Sequence, residues 1–485
     1  MGLGAAAVVV ARKGSRRPAW RAKINSHDRF VHDSIASLGY DWERVAVPGI
    51  SARPPRKVYM PNSTEDVVRA VQEARRFGEV LRVRGNGHSS NDLVLGDRNS
   101  VLLTRRLNRI VGLDEAAGEA SVEAGVITAE LDDYLADRGF GLPVIGDHIH
   151  ITAAGFASVG GVGGASHRYG LFVDNVNWLE YVDWDGAVHR CSASEDADRF
   201  YAVLCGQGQA GVITRLGCKV IPIDKYRTIL RNDESYFRDL GRFLEANDAY
   251  MKASEESAMG RGVWTEVFPS PKRRIEFGLL SVYRDLGQSG YRRLRNAAAY
   301  GLLHRVGAVA GKLPARVDRA LKYVGTAGMI FSPRYASIKN VEVFTDKTID
   351  YTVGDPNRWM IAWSPDAHYR EAFEKLWALL TRVQKETSCF TAIACDFRPI
   401  RSGYLGRGGP DLFCELLFYL QTKPEAMTPA LFEQLLSEFD DICIETSTFR
   451  YMQTKTVSDT ERRRRLDANS HYADRARPGA GAPRG

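Results

Sequence analysis

Arg82-Val-Arg-Gly-Asn-Gly-His-Ser-Ser-Asn-Asp92 is the stretch on which the reading of this chain turns. Leu81 and Val83 alternate with Arg82 and Arg84 as in a strand, and Gly85 and Gly87 then break it. Two glycines one residue apart let a backbone turn its amides toward an anion, and an arginine beside them offsets the charge of a pyrophosphate. No Gly-Lys-Ser/Thr follows, so this is not a Walker loop, and the spacing departs from G-x-G-x-x-G. By itself the segment is equally readable as a glycine-rich surface turn with an incidental histidine.

Upstream, Val58, Tyr59 and Met60 predict a short strand. Ser63 predicts a helix cap with Asp66 three residues on, and Val67, Val68, Val71 and Ala74 follow at helical spacing. Strand, helix, strand and loop in this order make a unit in which amides can meet a phosphate. Downstream lies Gly146-Asp-His-Ile-His-Ile-Thr-Ala-Ala-Gly-Phe-Ala-Ser-Val-Gly-Gly-Val-Gly-Gly-Ala-Ser-His-Arg-Tyr-Gly170. Between Ala157 and Ala165 no side chain exceeds valine, which suits a backbone lying directly against a flat aromatic ligand and its phosphates. The interleaved Ile149, Ile151, Val159 and Val162 argue for ordered, buried backbone rather than a linker. Asp147, flanked by His148 and His150, reads as a carboxylate in a strand-like stretch, either a base or a partner of local backbone.

Composition narrows the classes. At 485 residues two domains are expected, and 44% hydrophobic with 10% aromatic residues is globular rather than disordered. The net charge of +7 gathers in Arg12, Lys13, Arg16, Arg17 and the run from Arg462 to Arg465, read as solvated ends. With no zinc spacing or RNP-like strand beside them, no nucleic-acid partner is expected. Seven cysteines without a C-x-x-C pair point to reduced thiols, no metal and a cytoplasmic protein. No stretch approaches the roughly 20 apolar residues of a spanning helix, so no membrane partner is expected.

Four motifs occur in order between residues 54 and 222: Gly85-Asn-Gly-His-Ser89, the glycine-dense stretch, Arg168-Tyr-Gly-Leu-Phe-Val-Asp-Asn-Val176, and Arg199-Phe-Tyr-Ala-Val-Leu-Cys-Gly-Gln-Gly-Gln-Ala-Gly-Val-Ile-Thr-Arg215. Together they resemble the FAD domain of the vanillyl-alcohol oxidase (PCMH-type) superfamily, most of all that of cytokinin dehydrogenases, and also that of sugar-lactone and alditol oxidases. The resemblance implies an α+β protein with a two-lobed FAD-binding domain over 51–224. A substrate (cap) domain over 225–445, with an antiparallel sheet covered by helices, would follow. Residues 1–50 would be an extension, 446–474 a return to the FAD domain and 475–485 a disordered tail.

It further implies FAD bonded covalently to His88, a pyrophosphate cradle from Arg84, Gly85, Asn86, Gly87, His88 and Ser89, and cofactor contacts at Asp147, Thr152, Ser158, Val162 and Ile213. Asp147 matches the aspartate that takes a proton from the substrate. Relatives with a second covalent bond carry a cysteine near the position of His148, so a single bond is expected. Ala124 stands where some relatives use a small residue to control oxygen access. Tyr451, Arg450 and Asn469 are candidates to face the flavin, and Tyr335, Trp359, Trp363 and Phe397 to wall the substrate.

The expected activity is removal of a hydride from a C–N or C–O bond of a small molecule to flavin N5, in specialised metabolism, with oxygen or another acceptor taking the electrons. The H-W-G-K signature of sugar-lactone oxidases and the C-terminal ending of cytokinin dehydrogenases are both absent. A sugar-lactone or alditol oxidase and a non-catalytic flavin-binding protein are the alternatives.

Overall fold

The computed structural model describes residues 37–42, 51–96, 98–270, 273–288, 334–342, 345, 357–409 and 411–473. Helical spacing in the sequence also predicts helices over 291–306 and near 27–38; the first and nearly all of the second lie outside these residues, as do the tail at 475–485 and the basic residues 12–17.

Strand β1 (Lys57–Tyr59), helix α1 (Thr64–Arg76), β2 (Leu81–Arg84) and β3 (Ser100–Leu103) form the first unit, a parallel sheet in the order β1-β3-β2. Ser63 caps α1 as its spacing predicted: its side-chain oxygen accepts from the Asp66 amide at 3.2 Å, a contact of about 1 kcal/mol. Glu65 and Asp66 in the first turn and Arg75 and Arg76 in the last oppose the helix dipole. Val67, Ala70, Val71 and Ala74 bury one face.

A second sheet is antiparallel, built from β4 (Ile110–Asp114), β5 (Glu119–Glu123), β7 (Val176–Asp183), β8 (Val188–Ser192) and β9 (Gly211–Lys219) in the order β4-β5-β9-β7-β8. A two-stranded pair joins β6 (Phe140–Gly141) to β10 (Ile221–Pro222). The strand-like reading of 146–151 is not met: these residues form bends, and the strand contact there is one bridge between Ile127 and Thr152. The following residues instead start a short helix, Ala153–Ala157, capped by Thr152.

From residue 228 the described residues build one eight-stranded sheet. Its strands are β11 (Thr228–Phe237), β12 (Met259–Ser270), β13 (Arg273–Gln288), β14 (Tyr335–Ser337), β15 (Asn357–Pro365), β16 (Phe390–Arg401), β17 (Leu412–Thr422) and β18 (Phe449–Arg450). Their order is β14-β11-β13-β12-β16-β17-β15-β18. Helices α2 (Leu240–Ala253), α3 (Tyr369–Thr387) and α4 (Pro429–Glu445) cover one face.

Because side chains alternate along a strand, Ile393, Cys395 and Phe397 of β16 and Cys414, Leu416 and Phe418 of β17 pack under those helices. Ile361 and Trp363 of β15, Leu417 of β17 and Ile400 of β16 instead join the core that contains Phe156 and Phe172. The two halves therefore share a continuous apolar interface, and the candidate site opens within it.

Candidate functional site

A cavity of about 560 Å³ lies where the two glycine-bearing loops face β15 and β17, within the range of small-molecule and cofactor pockets. Gly85, Asn86, Gly87, His88, Ser89, Asp147, Thr152, Ser158, Val162 and Ile213 all line it. Arg84 does not. Its side chain turns under the loop, 1% exposed, and donates to the Tyr40 carbonyl at 2.8 Å. Gly87 has φ +73°, and a Cβ there would stand 2.2 Å from the Arg84 guanidinium. Arg84 thus shapes the loop from beneath rather than facing a pyrophosphate.

The loop is held from three sides. Asn86 donates to the His150 carbonyl at 2.7 Å, Gln453 donates to the His88 carbonyl at 2.6 Å, and the Trp42 amide donates to the Ser89 carbonyl at 2.9 Å. None of the backbone amides from 85 to 89 donates to another group of the described chain. A run of unspent amides after a strand is a ready anion cradle. The N-terminal stretch is accordingly more than an extension: Trp42 is buried, with ring centroids 6.0 Å from His88 and 4.6 Å from His148.

His88 presents a shielded Nδ1 with no hydrogen-bond partner. Loss of water around the ring, together with His148, His150 and Arg84, pushes its basicity well below the usual imidazole value. A neutral ring with a free nitrogen is the form able to bond to carbon. His148 is held neutral as well, pushed down to about 3 by burial and then by His150.

Gly160, Gly161 and Gly163 of the second loop do something other than admit a ligand. A Cβ at Gly160 (φ +113°) would lie 2.7 Å from the Trp363 ring, one at Gly161 2.6 Å from Phe172, and one at Gly163 2.0 Å from the Ile145 carbonyl. They thread the backbone through the core, while Gly155, Ser158, Val159 and Val162 face the cavity.

At another part of the wall, Arg398 of β16 reaches across to Asp147 at 2.5 Å. Its side chain also stands 3.7 Å from Asp396 and 3.6 Å from Glu415, and Arg261 pairs with Asp396 at 3.0 Å. Burial pushes the Glu415 carboxyl up to about 7, against the pull of Arg398. Trp359, Tyr419, Tyr451 and Gln453 complete this wall.

Of the four aromatics expected to wall the substrate, Trp359 alone lines the cavity. Phe397 points into the helix-covered core, Trp363 packs beneath the cavity against Gly160, and Tyr335 is 53% exposed on the edge strand β14. Tyr451 reaches the cavity, whereas Arg450 is bound to Asp440 and the Ile361 carbonyl, and Asn469 to the Leu204 carbonyl at 2.7 Å. Ala124 is buried in the core and does not line the cavity.

Nor is the arginine run a solvated tail. It lies in the helix Thr460–Leu466, where Arg462 pairs with Asp441, Arg463 donates to Gln207 at 2.8 Å, and Arg463 and Arg464 line the cavity. Sequence reasoning missed Trp42, Arg398, Glu415, Tyr419, Gln453 and Arg463, and no motif marks them. All seven cysteines are buried free thiols. No helix among the described residues is long and apolar enough to cross a membrane.

The unspent amides, the neutral His88 nitrogen and an unpartnered Ser89 hydroxyl oxygen fit a dinucleotide flavin. The family described as FAD binding domain matches residues 55–192. An uncharacterized oxidoreductase of the fasciation locus of Rhodococcoides fascians is 34% identical over 218 residues, covering 45% of this chain and 47% of that protein. Cytokinin dehydrogenase 9 of Oryza sativa subsp. japonica is 29% identical over 219 residues (42% and 40%), and L-gulonolactone oxidase of Mus musculus 28% over 205 (41% and 44%). The matched stretch spans less than half of each of these relatives. Residues 55–192 therefore match an FAD binding domain, and around that stretch the chain is similar to oxidoreductases, among them cytokinin dehydrogenases and L-gulonolactone oxidase.

Proposed function

We propose that this protein is an FAD-dependent oxidoreductase that removes a hydride from a C–N or C–O bond of a small molecule, with the flavin joined to His88 by a single covalent bond. The observation that carries the reading is one cavity lined both by the His88 loop and by the Asp147–Arg398–Glu415 wall. When bound, FAD supplies the hydride acceptor.

The chain supplies the rest. Amides 85–89 hold the pyrophosphate, and the shielded, neutral His88 carries the bond to the cofactor. Arg398 fixes Asp147 so that the carboxylate accepts a hydrogen bond from the substrate's N–H or O–H, and Trp359 and Tyr419 wall the substrate and exclude water. The two sheets below residue 220 serve as the two lobes of the cofactor domain, and the eight-stranded sheet as the cap.

The test is a panel of amines, alcohols and lactones mixed with the yellow holoprotein under argon. Bleaching by members of one class is expected and would name the substrate class. A flavin that no member bleaches, although dithionite does, would refute the reading.

A further inference from the structure

Glu415 sits on β17 directly opposite Arg398 on β16 and Trp363 on β15. Its side chain is fully buried, it lines the cavity, and neither carboxyl oxygen makes a well-formed hydrogen bond, the donors acting on it being Arg398 at 3.6 Å and the Trp363 indole. Native cores rarely leave a buried carboxyl in that condition, and each case calls for a reason. Arg398 supplies only part of one, as a cation it shares with two other carboxylates. Its close contact is Asp147, and it stands 3.6 Å from Glu415.

The charged and titratable groups facing Glu415 are Arg398 and Asp396 of β16, Asp147 of the loop and Tyr451 of the returning chain, with the buried thiols of Cys395 and Cys414 behind it on the helix-covered face of the sheet. Tyr451 and Cys395 are pushed upward by burial and stay uncharged at neutral pH. Arg398 and Arg261 then balance Asp147 and Asp396. A third carboxylate would be unbalanced, so Glu415 is poised to hold a proton or release it.

We propose that Glu415 is the proton acceptor of this site. The inference rests on the oxidoreductase reading above and departs from the sequence reading, which gave that task to Asp147. As the substrate C–H bond breaks, its hydrogen and two electrons leave for the oxidised flavin. The O–H or N–H bond breaks with it, the C=O or C=N bond forms, and the proton ends on the Glu415 carboxylate. Asp147, engaged by Arg398, orients that hydrogen. A base near its working pH is the efficient one.

The first measurement needs no substrate. Photoreduce the holoprotein in weakly buffered solution near pH 7.5 and count the protons taken up per two electrons with an indicator dye. Negative charge delivered beside Glu415 raises its proton affinity, so the wild type should take up more protons than Glu415→Gln. Equal uptake by both would overturn the proposal.

With a compound that bleaches the flavin, the rate should fall tenfold per pH unit below about 7 in the wild type. That limb should vanish, with at least a hundredfold loss of rate, in Glu415→Gln, and return in Glu415→Asp at a shifted position and a lower rate than in the wild type. A limb that persists in Glu415→Gln and moves with Asp147→Asn instead would assign the proton to Asp147. If Glu415→Gln does not fold, Glu415→Asp decides alone: an unchanged rate and limb position would overturn the proposal. If no compound bleaches the flavin, the oxidoreductase reading is what fails, and the proton count still decides whether Glu415 is linked to flavin reduction.

Discussion

Arg398 and Asp147, 251 residues apart in the chain, meet in an ion pair that joins the eight-stranded sheet to the loop preceding the glycine-dense segment. Both line the cavity. The pair fixes the position of the loop carboxylate from a strand on the other side of the interface, so the site exists only when the two halves are docked.

Removing the guanidinium is expected to cost more than one ion pair. Arg398→Met leaves Asp147, Asp396 and Glu415 close together without their shared cation. Breaking a buried pair in this way costs about 3–5 kcal/mol. Urea unfolding at pH 7.5 should register that loss, and a lower pH should recover part of it as Glu415 and Asp396, both pushed up by burial, take protons. A midpoint within experimental error of the wild type would contradict the central place given to Arg398.

His88→Ala separates covalent from non-covalent binding. Acid precipitation of the wild type should leave the yellow colour with the polypeptide, whereas the variant should release it to the supernatant. The cradle of amides 85–89 is intact in the variant, so flavin should still co-purify before denaturation.

Gly87→Ala tests why the loop takes its shape. A side chain at φ +73° is strained, and its Cβ would meet the Arg84 guanidinium at 2.2 Å. A loss of about 1–3 kcal/mol is expected from the strained backbone alone. Flavin content should fall with it, because the same backbone presents the amides. Gly78→Ala, at φ +63° with nothing near its Cβ, is the control for φ alone.

The pH dependence of stability follows from Glu415, whose carboxyl rises from 4.5 to about 7 on folding. A raised folded value means that the folded state favours the proton. The resulting stability is fully present below about 4.5 and is lost as pH rises through about 7. Glu415→Gln should therefore be the more stable protein at pH 8, by about 3 kcal/mol, and lose that advantage by pH 4.5. Thermal unfolding of both proteins across this range is the check, and parallel curves would contradict it.

Legibility followed chemistry. The cap at Ser63, the strand at Leu81–Arg84 and the Gly85–Ser89 loop rest on rules that act within a few residues, and the first sheet and its helix form as their spacing predicted. The strands β11, β12 and β16 and the helix α4 went unread. Strands such as β16, in Thr-Ala-Ile-Ala-Cys-Asp-Phe-Arg-Pro-Ile, are buried on both faces and show no alternation of apolar and polar residues.

What the sequence by itself determined was the cofactor side: two glycine-bearing loops and a histidine, with the His88 loop placed by local backbone rules directly after a strand. Only the tertiary structure decided the other wall. Whether Phe397 or Arg398 faces the cavity depends on the register of β16 against β17 and on which sheet face the helices cover. Arg84 turning inward, Trp42 docking on the loop and Glu415 buried in the cavity wall likewise depend on contacts made by the packed chain, several of them tens to hundreds of residues away. Composition and spacing carry no record of such contacts, because burial and charge pairing are properties of the packed chain rather than of any one segment.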